Sequence, residues 1–434
     1  MCMISMNMHQ AAAVTGGTLA GKPTIFRGIS TDSRQDCTGK LFVALQGENF
    51  NGEDYCAQAQ ANGAVALLVS HAVDVNIPQL ICEDSLRGLS ILGKYWAKQS
   101  SAKIIAITGS NGKTTVKNML FSILSVSHIC SATQGNLNNE IGVPLTLCSI
   151  NTDDEFAVIE MGAAKVGDIS HLVSLVDIHT AVLTNVSPAH IGRFENFANI
   201  VAEKGQIFST LNAEDYAVLP FDDEYFHTWQ QACQAKIMSF GQNQQADVTL
   251  DAISDVQLPV AGLHNRINAT CAKAIAKTLN ISCDEIKKGL ENFTPETGRL
   301  QNLGKIDGVI VINDCYNANV QSVKAAIDVL AEYSDETVLI FGDMAELGDE
   351  SARLHAEIGQ YAKSKNISQL LTIGQDSKFA AQAFGEKAQH FKDKSAIKPY
   401  LWQNWQNFSS VLVKGSRSMQ LEDIINAIKT EKVA

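Results

Sequence analysis

The stretch Ile107-Thr108-Gly109-Ser110-Asn111-Gly112-Lys113-Thr114-Thr115 carries residue types that grip a polyphosphate. Glycines let successive backbone N–H groups curl around an anion, and a helix N-terminus adds a favourable dipole. Lys113 would reach the β- and γ-phosphates, and the Thr114 hydroxyl can coordinate Mg²⁺. The longer G-x-x-x-x-G-K-[ST] pattern is not met. Only two residues separate Gly109 from Gly112, and Ile107 stands where the longer form has its first glycine. A plain helix start is the alternative reading of the same residues.

Other side chains are suited to chemistry one at a time. Glu160, at the end of an apolar run, is either a hard oxygen ligand for Mg²⁺ or a solvated strand-terminal acid. His190 reads as a core histidine and Lys204 as a solvated helix lysine. Asn265 and Asn268 suit helix N-capping, although Asn268 falls inside the predicted helix. Arg299 sits at a domain junction, where a guanidinium can meet phosphate charge only after closure, or else form an ordinary interdomain ion pair. Ser30-Thr31-Asp32-Ser33-Arg34 makes a good turn before a strand.

These residues need a frame, and the sequence supplies a rhythm of strand, turn and helix. Lys103–Thr108 is a short β-rich run. Beyond it, Val116, Met119, Leu120, Ile123 and Leu124 follow the spacing of one buried helix face. Phe156–Ile159, Ala181–Thr184 and Tyr216–Leu219 are further strand candidates, and Ile267, Cys271, Ile275 and Leu279 mark a later helix. From about Gly298 the alternation restarts, with strands at Val309–Ile312, Val338–Phe341, Leu370–Ile373 and Val411–Val413 and helices at Ser322–Leu330 and Ser351–Tyr361. Such alternation favours parallel sheets covered by helices. The first ~80 residues differ, with shorter pieces at Leu41–Leu45 and Val65–Val69 around one helical stretch. The division is 1–82, 83–297 and 298–434.

A length of 434 residues suits about three domains. The net charge of −12 disfavours a broad surface tracking nucleic-acid phosphates, but permits a small anion held by local cations. No apolar run approaches the ~20 residues of a membrane helix. The start, MCMISMNMHQ, lacks the basic flank and apolar stretch of a secretory signal. The ten cysteines form no C-x-x-C pair, so reduced buried thiols in a cytoplasmic protein are expected.

The short loop T-G-S-N-G-K-T-T resembles the ATP loop of the Mur ligases, the amide-forming enzymes of peptidoglycan synthesis. The resemblance extends over nearly the whole chain: Gln134 to Pro144 (QGNLNNEIGVP), Glu160-Met161-Gly162, Asn185 to His190, Lys204-Gly205, His264 to Ala269, Gly298-Arg299 and Asp314 to Asn319 appear in the family's order. Asp314-x-Tyr-Asn-Ala-Asn, Gly342 to Gly348 (GDMAELG) and Lys414-Gly415-Ser416-Arg417 look like the branch that adds D-alanyl-D-alanine to UDP-N-acetylmuramoyl-tripeptide. The D-N-P-R stretch of the diaminopimelate-adding branch is missing. Cys315 stands where many relatives have serine.

The resemblance implies an α/β protein of three domains: a small UDP-binding domain, a central P-loop-type parallel-sheet ATPase domain and a C-terminal Rossmann-like domain. It implies ATP and two Mg²⁺ ions, with Thr114 and Glu160 as ligands and His190 helping to hold the second ion. The lysine matching Lys204 is carbamylated in several branches. Asn265, Asn268 and Asp314 resemble ATP contacts. Asn138 and Asn139 lie in the substrate-facing loop, and Asn317 and Asn319 in the last-domain motif. Thr31, Asp32, Ser33 and Arg34 would address uracil edges and pyrophosphate, and Lys414, Ser416 and Arg417 would meet the dipeptide carboxylate or the peptide's acid. A monomer acting on UDP-N-acetylmuramoyl-tripeptide and D-alanyl-D-alanine is the expectation. Folylpolyglutamate synthetase shares the strategy but usually has G-K-G-S in the loop. A small-molecule kinase would release a phosphorylated product and need no second amine substrate, and a nucleotide-binding regulator would have no need of a second metal.

Overall fold

The computed structural model describes residues 3–47, 49–187, 194, 196–333 and 336–430. Beside a two-stranded antiparallel pair of Ser5–Asn7 with Ile25–Arg27, three larger sheets follow one another along the chain. The first orders Thr18–Ala20, Gln79–Ile81, Ala66–Val69, Leu41–Val43 and Ile29–Ser30, antiparallel only at its first pair. The central sheet orders Val248–Thr249, Lys236–Gly241, Tyr216–Pro220, Thr180–Leu183, Lys103–Thr108, Phe156–Glu160 and Cys130–Ala132, all parallel. The last sheet orders Gln301–Ile306, Val309–Asp314, Ser410–Lys414, Thr337–Gly342, Gln369–Ile373 and Ala388–Phe391, with an antiparallel pair at the Gln301 edge.

Strand alternation sorts the central core into two layers. Ile105, Ile107, Val158, Val182 and Val218 face one layer, which includes the buried stripe Val116, Met119, Leu120 and Ile123 of helix Lys113–Leu124. Ile104, Ala106, Ile159, Leu183 and Leu219 face the other. A strand buried on both faces reads as continuous apolar sequence, which is why these runs are visible before folding. Lys103–Thr108 lies between Thr180–Leu183 and Phe156–Glu160, so three strand ends open side by side, the crevice where parallel sheets bind ligands.

Several elements depart from the expected pattern. Lys236–Gly241 and Val248–Thr249 extend the central sheet at one edge, and helix Lys394–Asn404 carries Pro399 inside it. Nine cysteines are free among the described residues, but not all are buried: Cys283 is exposed and Cys130 and Cys233 are half-buried. Among the described residues, no helix is long and apolar enough to cross a membrane.

Candidate active site

The loop after Lys103–Thr108 is braced by the segment that follows the neighbouring strand Thr180–Leu183. Thr184 Oγ1 and Asn185 Nδ2 both donate to Asn111 O, at 2.6 and 3.0 Å, and Asn111 N donates to Asn185 Oδ1 at 3.0 Å. Ser110 N donates to Asn185 O, and Ser187 N to Ser110 Oγ. Gly112 adopts φ +81°, a left-handed conformation that side chains resist, and a Cβ there would lie 2.5 Å from Asn268 Oδ1. Gly112→Ala is therefore expected to weaken nucleotide binding by more than about tenfold, combining backbone strain with displacement of Asn268. Calorimetric titration with ADP checks this; unchanged affinity would refute the tight loop–helix fit.

Lys113 opens helix Lys113–Leu124, and its Nζ donates to Gly109 O at 2.6 Å and Ser110 O at 3.3 Å. Burial pulls its pKa down, opposed by the Glu160 carboxylate. Thr114 is buried on the same turn. Glu160 ends the neighbouring strand and is 2% exposed. Its Oε1 accepts from Asn138 Nδ2 at 2.8 Å, while Oε2 is buried without a hydrogen-bond partner. A buried carboxylate oxygen without a hydrogen-bond partner, in a cleft that Thr114 also lines, fits an incoming cation.

Arg299 already bridges the domains. Its Nη2 donates to Thr114 Oγ1 at 3.1 Å, its guanidinium lies over the Tyr316 ring at 4.1 Å, and Glu296 pairs with it at 3.5 Å. Arg299 follows helix Cys283–Glu291, which packs on the loop's own helix, and this places the guanidinium against the phosphate loop. Asn319 Nδ2 adds a second bridge, to Asn111 Oδ1 at 2.7 Å, while its Oδ1 caps helix Val320–Ala331. Asp314 and Lys414 end paired strands and join at 2.6 Å; Lys414 also donates to Asn317 O.

The resulting cleft of about 700 Å³ is lined by Ser110 to Thr115, Asn138, Glu160, Asn265, Asn268, Arg299, Asp314, Asn317, Asn319 and Lys414. Models of the Mur ligase family catalytic domain, the Mur ligase middle domain and the Mur ligase glutamate ligase domain match residues 25–99, 107–276 and 298–417. The UDP-N-acetylmuramoyl-tripeptide–D-alanyl-D-alanine ligase of Escherichia coli K12 is 37% identical, over 98% of this chain and 99% of its own length. The chain belongs to the Mur ligase family. Among solved structures, MurF from Acinetobacter baumannii has a TM-score of 0.91 at 32% identity, covering 99% of each chain. MurF from Thermotoga maritima, solved in complex with ADP, has a TM-score of 0.83 at 25% identity, over 93% of this chain and 97% of its own.

Other expected residues of this Mur ligase stand apart from the cleft lining. Asn139 Oδ1 accepts from Ile141 N and Gly142 N at the start of helix Gly142–Ser149. Ser416 Oγ accepts from Ala345 N, and Arg417 pairs with Glu422. In the first domain, Arg34 clamps Asp32 and holds its carboxyl down to about 2, Ser33 bonds Gln58, and Thr31 is half-buried. His190, with Pro188 and Ala189, lies outside the described residues.

Two readings from residue type are corrected. Lys204 is not solvated: it lies 6% exposed at the end of helix Phe197–Gly205, and burial together with nearby Lys113 brings its pKa down to about 7. Asn265 and Asn268 do not cap helix Leu263–Thr278, whose N-cap is Gly262. Both are buried within it, and Asn265 Nδ2 donates back to Ala261 O. The sequence reading assigned no role to Lys117, buried one turn after Lys113, or to cleft-lining His264, whose pKa burial lowers to about 4. The signal for Lys117 was its i+4 spacing from Lys113, on a face otherwise apolar.

Proposed function

We propose that this chain is an ATP-dependent ligase joining D-alanyl-D-alanine to UDP-N-acetylmuramoyl-tripeptide through an acyl phosphate, in cytoplasmic peptidoglycan precursor synthesis. The observation that carries the reading is that the phosphate loop, Glu160 with its unpartnered oxygen, and Arg299, which bonds Thr114, line one cleft. End-to-end similarity to ligases of that name supports the substrates. The folylpolyglutamate reading has less support, since Gly112-Lys113-Thr114-Thr115 departs from its loop.

A carboxylate and an amine do not condense in water, because the carboxylate has no viable leaving group. Transfer of the ATP γ-phosphoryl group to the tripeptide carboxylate creates one. The dipeptide amine then attacks that carbon, and phosphate departs with formation of the amide. The protein's task is to position the partners and stabilise charge on phosphoryl oxygens. Backbone N–H groups at the start of helix Lys113–Leu124, from Gly112 to Thr115, would hold the triphosphate, since those of Ser110 and Asn111 are engaged by Asn185; Lys113 would leave the loop carbonyls for it, and Arg299 approaches from the last domain. Thr114 and Glu160 would hold Mg²⁺, which supplies neutralisation of phosphate charge. A second Mg²⁺ is assigned to His190 and a carbamylated Lys204. Lys414, Ser416 and Arg417 are assigned to the dipeptide or peptide carboxylates, residues 31–34 to the uridine diphosphate, and the domains are divided at 82 and 297 in a monomer.

Phosphate release from ATP by purified protein is the test. Little release is expected with UDP-N-acetylmuramoyl-tripeptide alone and a large increase on adding D-alanyl-D-alanine. Release indifferent to the dipeptide would favour a kinase or regulator instead.

A further inference from the structure

Lys117 is a buried ammonium for which the mechanism above has no use. It lies on helix Lys113–Leu124 one turn beyond Lys113, and only 3% of it is exposed. Its Nζ donates to Thr133 O at 2.7 Å, and Thr133 Oγ1 in turn accepts from Glu160 N at 2.9 Å. The ammonium is thereby tied to the same residue that fixes the Glu160 backbone. It stands 3.9 Å from Glu160 Oε2, close enough for strong attraction and too far for a hydrogen bond. Oε2 therefore keeps its lone pairs while its charge is offset.

We propose that Lys117 is a resident counter-charge for Glu160, which keeps a divalent cation from binding there until the nucleotide arrives. The inference rests on the ligase reading. Lys113 and Arg299 share the same electrostatic neighbourhood, so three cations face the carboxylates of Glu160 and Glu296. A dication entering that field alone is repelled. A triphosphate reverses its sign, draws Lys113 to itself, and leaves Oε2 open for a metal that comes with the phosphates. Lys117 cannot follow the phosphates without breaking its bond to Thr133. It acts through Glu160 and is a positioning residue.

Mn²⁺ titration of the full chain, followed by the paramagnetic resonance of free Mn²⁺, tests this without and with ADP. Wild type is expected to bind Mn²⁺ at least about tenfold more tightly with ADP than without it. Lys117→Met should tighten nucleotide-free Mn²⁺ binding at least about tenfold, and Lys117→Arg should leave it as in wild type. A gain of affinity is a result that mere structural damage does not produce. If the methionine variant fails to give a cooperative thermal transition, Lys117→Gln, which retains a donor for Thr133 O, takes its place with the same expectation. Equal Mn²⁺ affinity of wild type with and without ADP, or no tightening in the neutral variant, overturns the proposal. Failure of every variant to bind ADP would instead count against the ligase reading, and the nucleotide-free comparison would still decide the role of Lys117.

Discussion

Replacing Lys113 with alanine is expected to lower ATP-dependent phosphate release and amide formation by about a thousandfold or more, with the fold retained. In the structure its ammonium rests on Gly109 O and Ser110 O, two carbonyls of the loop it belongs to. These are weak partners for a charge whose pKa burial has already lowered. A triphosphate in the same loop offers full negative charge instead, and the developing charge on the transferred group falls within reach. Without the ammonium, Arg299 remains, and it reaches Thr114 from the side of the last domain. Stability should not suffer, since alanine starts a helix well and the change removes a partly desolvated charge. Phosphate release with both substrates present and a thermal melt separate the two effects. Near-normal turnover in Lys113→Ala would remove the phosphate loop from the mechanism.

The central part of the site was readable because its geometry is local. Lys103–Thr108 and the helix face from Val116 to Leu124 are periodic over short windows, and the glycine loop must lie between them. Glu160 could be placed at a strand end for the same reason. What surrounds these residues was less legible, because pairs such as Asn111–Asn319 and Thr114–Arg299 join positions roughly two hundred apart in sequence. No periodicity reports such contacts. Lys204 shows the limit most clearly: a lysine in a helical stretch carries a strong prior for solvent, and only the packing around helix Phe197–Gly205 reveals its burial. The edge strands were missed on similar grounds. Gln301–Ile306 alternates exposed with half-buried residues, so it lacks the continuous apolar run of a central strand.

Lys204→Ala is expected to lose about a hundredfold or more of ligase activity and to regain part of it with acetate or propionate. The reason is the chemistry that a neutral buried amine allows. With a pKa of about 7, Lys204 is largely unprotonated at pH 8. Its nitrogen can then bond to the carbon of CO₂, releasing one proton and leaving a carboxylate on the side chain. As pH falls through 7 the amine is protonated and the nucleophile is lost. Activity should therefore decline on the acid side and recover at fixed pH when bicarbonate is added. Stability supplies an independent check of the same amine. In bicarbonate-free buffer, the cost of burying the ammonium is fully present below the folded value of about 7. Between that value and the ordinary 10.5, the unfolded chain holds a proton that the folded chain has released, so stability rises with pH. Lys204→Met should accordingly raise the melting temperature most at pH 6 and progressively less toward pH 9. A methionine variant whose advantage does not shrink with rising pH would show that the amine is not held neutral, and a full-activity alanine variant would reject its role altogether.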